Sequence, residues 1–317
     1  MAEEIALQVV APGPPIRLDL FVAGALAGRL SRSSVQRLVR QGRVLVAGRP
    51  GQAGHRLRAG AQVRVCLPEP TPSPLVPNGI KLACLFEDAD IVVVDKPAGL
   101  AVHPGAGWTR PTLVQALLGH CADLSGVGGV LRPGIVHRLD AGTSGALVVA
   151  KSDAAHRHLA AQFAQRTVGK RYLAVVWGRP PARAEHIDTP YGRHPHRRQA
   201  FTGRLSATTT PRRAVTDYRL VGEGAGRAVV AVTLATGRTH QIRVHLAERG
   251  CPVVGDGVYG RCRRWPAALP AAAPGALALH AERLRFVHPR SGEAMDFVAP
   301  VPPPMAALVR ATLARQG

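Results

Sequence analysis

A chain of 317 residues, 46% of them hydrophobic, is long enough for two domains with sizeable cores, and no apolar run in it reaches the ~20 residues a membrane-spanning helix needs. The excess of 41 Lys+Arg over 20 Asp+Glu leaves a net charge of +21, which draws polyanions and argues against a cationic partner. Without a basic amphipathic anchor or lipidation signal, that polyanion is expected to be nucleic acid and not membrane; the short acidic start, MAEEIALQVV, is unlike a secretory leader, so a cytoplasmic protein is expected. The five cysteines (Cys66, Cys84, Cys121, Cys251, Cys262) are scattered without a CxxC pair, so neither a disulfide framework nor a zinc site is expected.

In chain order, residues 17–64 carry ten arginines and one acid, Asp19. Within them, LSRSSVQRLVRQGRVLVAGRP predicts a helix, a turn and a strand. Ser31 or Ser33 is placed to cap the helix and Gly42 to close it in a left-handed conformation. Val35, Leu38 and Val39 form the apolar stripe, leaving Arg32, Arg37 and Arg40 on the solvent side. Residues 61–67 predict another strand. PEPTPSPLVPNG, 68–79, has five prolines in twelve residues and predicts a stiff linker.

Beyond it the pattern is mostly β. Residues 90–100 predict a buried strand running into a Lys-Pro turn, and 112–120 a short helix. GIVHRL and ALVVAK predict strands on either side of a polar loop. Residues 153–166 predict a helix with Ala155, Leu159 and Phe163 on one face. Strands are predicted over 170–178, 214–221 and 228–236, then a helix over 238–250 with Thr239 near its start and Gly250 past its end. An Ala/Pro-rich stretch, 263–276, predicts a long surface loop, followed by two more strands and a closing helix. Few βαβ alternations occur. The fold class is therefore α+β: a mixed, largely antiparallel sheet with flanking helices, preceded by a small α/β domain, and not a Rossmann fold.

The polar loop holds a lone carboxylate, Asp140, in IVHRLDAGTSG. Taken alone, an Asp before a Gly-containing loop is more often a turn-former. A metal site through His137 and Asp140 lacks a third ligand, and a retaining glycosidase would need a second matched carboxylate. A nucleophilic carboxylate held by a cation remains.

HRLDAGTSG resembles the HRLDxxTSG signature of the RluA-type pseudouridine synthases. VDKPAGLAVHPG (94–105), KRYLAVVWG (170–178), TGRTHQIRVHL (236–246), GDGVYG (255–260) and LHAERLRFVHP (279–289) follow in the family's order, so the resemblance spans about residues 15–310. The arginine-rich segment, 15–67, is similar to the small αL-motif RNA-binding domain of an S-four-type ribosomal protein, with 80–317 as the catalytic domain.

The resemblance implies an enzyme that detaches uracil from its ribose, turns it and rejoins it through carbon 5, without cofactor or metal. Asp140 is the implied nucleophile, acting at the anomeric carbon, at carbon 6 of the base, or by deprotonating the sugar. Arg243 is expected to pair with Asp140 and hold it ionised and oriented, and Tyr172 to sit against the uracil. Arg138 is expected to hold the space left by the flipped base, and Thr143 to shape the loop and bind substrate. Arg32, Arg37 and Arg40 would contact RNA phosphates. The expected partner is RNA, foremost large-subunit ribosomal RNA or a pre-ribosomal particle, and the chain is expected to be a monomer. Alternatives are a synthase acting on transfer RNA, or an inactive RNA-binding or ribosome-assembly factor on the same fold. The chain departs from the family pattern at Ala141–Gly142, where a charged pair is common, and at Ala235, where an acid often precedes TGR.

Overall fold

The computed structural model describes residues 3–10, 13–26, 29–30, 32–67, 75–104, 108–121, 124–125, 133–197, 199–205, 212–260 and 265–314. The chain forms two compact units, Met1–Pro72 and Ser73–Gly317. Among the described residues no helix is long and apolar enough to cross a membrane.

The first unit contains β1 (Glu3–Gln8), β2 (Ile16–Arg17), α1 (Leu18–Ala25), α2 (Arg32–Arg40), β3 (Val44–Val46), β4 (Arg49–Pro50), β5 (Arg56–Leu57) and β6 (Gln62–Leu67). Its antiparallel sheet runs β1-β6-β3-β4, with β2 and β5 paired separately. Leu18, Val22, Val35, Leu38, Val44, Val63 and Val65 are buried together, as the α2 stripe and strand alternation require. Gly42 takes a left-handed φ of 69° after α2. Ser31 and the Ser33 side chain lie outside the described residues. Sequence patterning passed over β1 and α1. The MAEEIALQVV stretch reads as an acidic terminus until β6 is present to pair with it. The buried Asp19 ties α1 to α2, accepting from Arg17 Nε at 3.0 Å, Arg32 Nε at 3.0 Å and Gln36 Nε2 at 2.8 Å. Hydrogen bonding from Arg17, opposed by burial and aided by Gln36 and Arg32, holds its carboxyl well below the usual carboxylate range.

The second unit contains β7 (Ala83–Glu87), β8 (Ile91–Lys96), α3 (Leu113–His120), β9 (Ser144–Ala150), α4 (Asp153–Gln165), β10 (Gly169–Trp177), β11 (Ala184–Arg193), β12 (Phe201–Thr202), β13 (Arg212–Gly224), β14 (Arg227–Leu234), α5 (Gln241–Glu248), β15 (Leu279–Val287), β16 (Ala294–Val298) and α6 (Pro303–Leu313). One sheet runs β12-β11-β13-β14-β10-β15-β9-β8-β7, with β16 also on β15; β9 and β15 pair in parallel and the other pairs are antiparallel. The fold is thus α+β with a mixed, largely antiparallel sheet. Alternation in β8 sends Val92 and Val94 to one face, with α3, α5 and α6, and Ile91 and Val93 to the other, with α4. Both faces are covered, which is why β8 reads as an unbroken apolar run.

Two boundaries differ from the expected ones. Of the Pro-rich segment 68–79, residues 68–74 lie outside the described residues, while Val76 and Asn78 already belong to the second unit. Gln115 Nε2 donates to the Val76 carbonyl at 3.2 Å, and Asn78 N to the Gln115 carbonyl at 3.1 Å. GIVHRL is not a strand. Ile135 makes one bridge to Val149, and then the His137 ring takes the place of a backbone partner, its Nε2 accepting from Val148 N at 3.1 Å. The chain is thereby released from the edge of β9 just before Asp140.

Candidate active site

Asp140 stands at the first position of a turn closed by Thr143 N donating to the Asp140 carbonyl at 3.0 Å, after which β9 begins. The turn is held from two sides. Gly99 N donates to the Ala141 carbonyl and Leu277 N to the Gly142 carbonyl, each at 2.8 Å. The fully buried Lys96 spends its amine on three carbonyls, Pro97 at 2.8 Å, Leu100 at 2.7 Å and Ala141 at 3.2 Å. Burial pushes the Lys96 ammonium down to about 7, against the opposing charges of Asp140 and Asp95. This packing explains Gly142: a Cβ there would lie 2.3 Å from the Gly275 carbonyl oxygen. Gly145 has a φ of +113°, and a Cβ there would lie 2.3 Å from the Ala281 carbonyl oxygen. The predicted surface loop is described from Trp265 onward, and its last residues press on this turn.

Arg243 comes from the interior of α5, whose start is fixed by Gln241. That side chain accepts from Arg238 N at 2.9 Å and donates to the Val215 carbonyl at 2.9 Å. Arg243 Nη1 donates to Asp140 Oδ2 at 3.1 Å. The Arg243 side chain is 7% exposed and that of Asp140 16%, so the pair sits at the floor of a cleft. Tyr172, on β10, is buried beside them. Burial, and then the charge of Asp140, push its phenol well above the ordinary tyrosine range, so it stays protonated. Asp140, Tyr172, Thr143, Arg138 and Arg243 line one cavity of about 90 Å³. A second cavity, of about 610 Å³, meets the first at Arg138, Asp140, His240 and Arg243 and extends past Trp108. The Thr143 hydroxyl is buried and has no hydrogen-bond partner among the described residues. The five residues expected around the reacting nucleotide therefore converge. Arg32, Arg37 and Arg40 lie in the first unit, on α2.

The sequence profile of the RNA pseudouridylate synthase family matches residues 90–248, which hold Asp140, Tyr172 and Arg243. The chain is 43% identical over 300 residues to the ribosomal large subunit pseudouridine synthase D of Zymomonas mobilis, covering 93% of each chain. It is 46% identical over 309 residues to an RNA pseudouridine synthase of Chloroflexus aurantiacus, covering 98% of this chain and 94% of that one. The structure of human RNA pseudouridylate synthase domain containing 1 is similar over 70% of this chain and 84% of that one, with a TM-score of 0.55 and 27% identity. The chain belongs to the RNA pseudouridylate synthase family. It is an enzyme, an isomerase acting on RNA.

Three residues without an expected role in this synthase surround the pair, and two of them hold Arg243 in place. Asp256, fully buried, accepts from Arg243 Nε at 2.7 Å and Nη2 at 2.9 Å. Burial works against its charge, but the guanidinium and the backbone N–H groups of Tyr259 and Val258 outweigh it and hold the carboxyl below its ordinary value. Tyr259 lies under the same guanidinium, its ring centroid 5.2 Å from Cζ. His240 stands with Nε2 4.0 Å from Asp140 Oδ1. Asp256 and Tyr259 both belong to GDGVYG, where a lone acid and a lone aromatic among small residues were the available signal.

Proposed function

We propose that this synthase converts uridine to pseudouridine in large-subunit ribosomal RNA, with Asp140 as the nucleophilic carboxylate. Support for the RNA class comes from relatives named as ribosomal large subunit synthases at about 40% identity over most of the chain. The observation that carries the chemical assignment is the Asp140–Arg243–Asp256 chain. Arg243 fixes one oxygen of Asp140, Oδ2, and leaves Oδ1 without a hydrogen bond among the described residues, on a residue that lines both cavities. The C1′–N1 bond breaks and a C1′–C5 bond forms; C5 loses a proton and N1 gains one. The balance needs no oxidant, reductant or cofactor. The protonated Tyr172 supplies an apolar ring against the base, and the unpartnered Thr143 hydroxyl offers a hydrogen bond to the nucleotide.

A carboxylate this deep cannot reach a nucleotide that remains stacked. The target uridine must therefore leave the helix, at a cost of a few kcal/mol. Arg138, exposed at the lip of both cavities, is placed to fill the vacated space. The first unit is read as an RNA-binding module. Arg37 and Arg40 are exposed on α2, and among the described residues no acidic side chain pairs with either; Arg32 shares its charge with Asp19.

Mapping pseudouridines in ribosomal and transfer RNA from cells with and without this chain tests the reading. Loss at large-subunit uridines is the expected result. Loss confined to transfer RNA would replace the substrate, and no loss anywhere would favour an RNA-binding assembly factor.

A further inference from the structure

His240 is held more tightly than a packing residue requires. Its backbone is left-handed, φ 60°, one residue before α5 begins. The Thr239 carbonyl accepts from Tyr191 Oη at 2.6 Å. The imidazole is clamped edge-on by two rings, Phe201 at 5.7 Å and 82° and Tyr259 at 5.7 Å and 79°. Its Nδ1 lies 3.0 Å from Tyr259 Oη, and that oxygen already accepts from Phe201 N at 2.9 Å. The phenol has one hydrogen and, among the described residues, no acceptor for it other than Nδ1, so we take Tyr259 to donate and Nδ1 to accept. A neutral ring whose Nδ1 accepts carries its hydrogen on Nε2.

That Nε2–H looks across 4.0 Å to Asp140 Oδ1, while Oδ2 is taken by Arg243. The gap is too long for a direct hydrogen bond and fits one bridging atom about 2.8 Å from each side. The bridging group must accept from an N–H and donate to a carboxylate. A carbonyl cannot donate, and an amide N–H cannot accept; a hydroxyl does both. In a nucleotide inside an RNA chain the 3′ and 5′ oxygens are phosphate esters, so the sugar offers one hydroxyl, at C2′. It is bonded to the carbon next to C1′, where the glycosidic bond is exchanged. The gap opens onto both cavities.

We propose that His240 Nε2–H and Asp140 Oδ1 jointly hold the 2′-hydroxyl of the target uridine, making His240 the residue that selects ribose over deoxyribose and sets the sugar against Asp140. This rests on the reading that Asp140 faces the reacting sugar. Tyr259 is the positioning residue, acting through the tautomer it imposes on His240.

The test uses the full chain and RNA hairpins carrying a mapped target uridine, made with ribose or 2′-deoxyribose at that one nucleotide. Binding and single-turnover rates are measured for the wild type, His240→Ala and His240→Gln. The wild type is expected to favour ribose by about tenfold to a hundredfold, the loss that follows when a buried donor and acceptor meet an analogue lacking the hydroxyl. His240→Ala should reduce that ratio to within about threefold, and His240→Gln, which can present an amide N–H near the Nε2 position, should recover part of it. Equal handling of both RNAs by the wild type overturns the proposal and needs no variant to fold. A full ribose preference in a folded His240→Ala overturns it as well. If the ratio fails while Asp140→Asn is inactive, this inference falls alone. If Asp140→Asn turns over, the nucleophile reading falls first.

Discussion

Asp256 aims Arg243. Two hydrogen bonds, from Nε at 2.7 Å and from Nη2 at 2.9 Å, lock the guanidinium plane and turn Nη1 toward Asp140. Asp256 lines neither cavity, yet the orientation of the carboxylate depends on it. Asp256→Asn should lower kcat by one to two orders of magnitude with a smaller change in KM, since the lost interaction acts through Arg243. Asp256→Ala, which leaves the buried Nε and Nη2 donors of Arg243 without their partner while the Asp140 pair remains, should also cost about 1–3 kcal/mol of stability. Steady-state kinetics with thermal melting checks both; unchanged kcat in Asp256→Asn would show that Arg243 needs no second anchor.

Asp140→Asn should abolish turnover while RNA affinity and melting temperature stay close to wild type. The side chain keeps its size and its place in the turn, but an amide is neither charged nor nucleophilic. A tritium-release assay run beside a binding assay reads the two effects separately, and turnover near the wild-type rate is the outcome that removes Asp140 from the chemistry.

Thr143→Val exchanges a buried hydroxyl without a partner for a methyl of the same shape. Stability should hold or rise by up to about 1 kcal/mol, because an unsatisfied polar atom leaves the interior. Activity should fall by about tenfold if the hydroxyl meets the nucleotide, as one lost hydrogen bond implies. Equal activity would make Thr143 a loop-shaping residue alone.

His137 links acid sensitivity to the site. Burial first, and then the charge of Lys170, push its pKa down to about 3 from the ordinary 6.5. Between those values the unfolded chain binds more protons, so its population grows as pH falls. The stabilising contribution is complete above pH 6.5 and is lost progressively toward pH 3, with a ceiling of roughly 5 kcal/mol. A protonated ring also cannot accept from Val148 N. His137→Gln, whose carbonyl accepts without titrating, should flatten the acid limb; urea midpoints at pH 4.5 and 7.5 compare the two chains, and parallel limbs would exclude His137 as the sensor.

Replacing Arg37 and Arg40 together by Gln should weaken RNA binding without changing turnover at saturating RNA. If each meets one phosphate, the slope of log K against log salt should shrink by about 1.4–1.8 in magnitude. An unchanged slope would place the RNA elsewhere on the first unit or off it.

The sequence by itself determined the α+β class and most strands and helices of the second unit, while the convergence of Asp140, Tyr172 and Arg243 was legible only through the resemblance of its ordered motifs to a family. Apolar alternation and ordered short motifs are local properties, readable one segment at a time. The strand expected at GIVHRL failed because its fate turns on a remote event: the His137 ring, and not a backbone carbonyl, meets Val148 N–H. β1 was missed because its partner β6 is more than fifty residues away. The same reason hid Asp256, Tyr259 and His240. Their roles consist of distances to Arg243 and Asp140, and those distances come into being when the 255–260 loop, the start of α5 and the Asp140 turn fold against one another. What a residue can do chemically is written in its type; what it touches is decided by the packing.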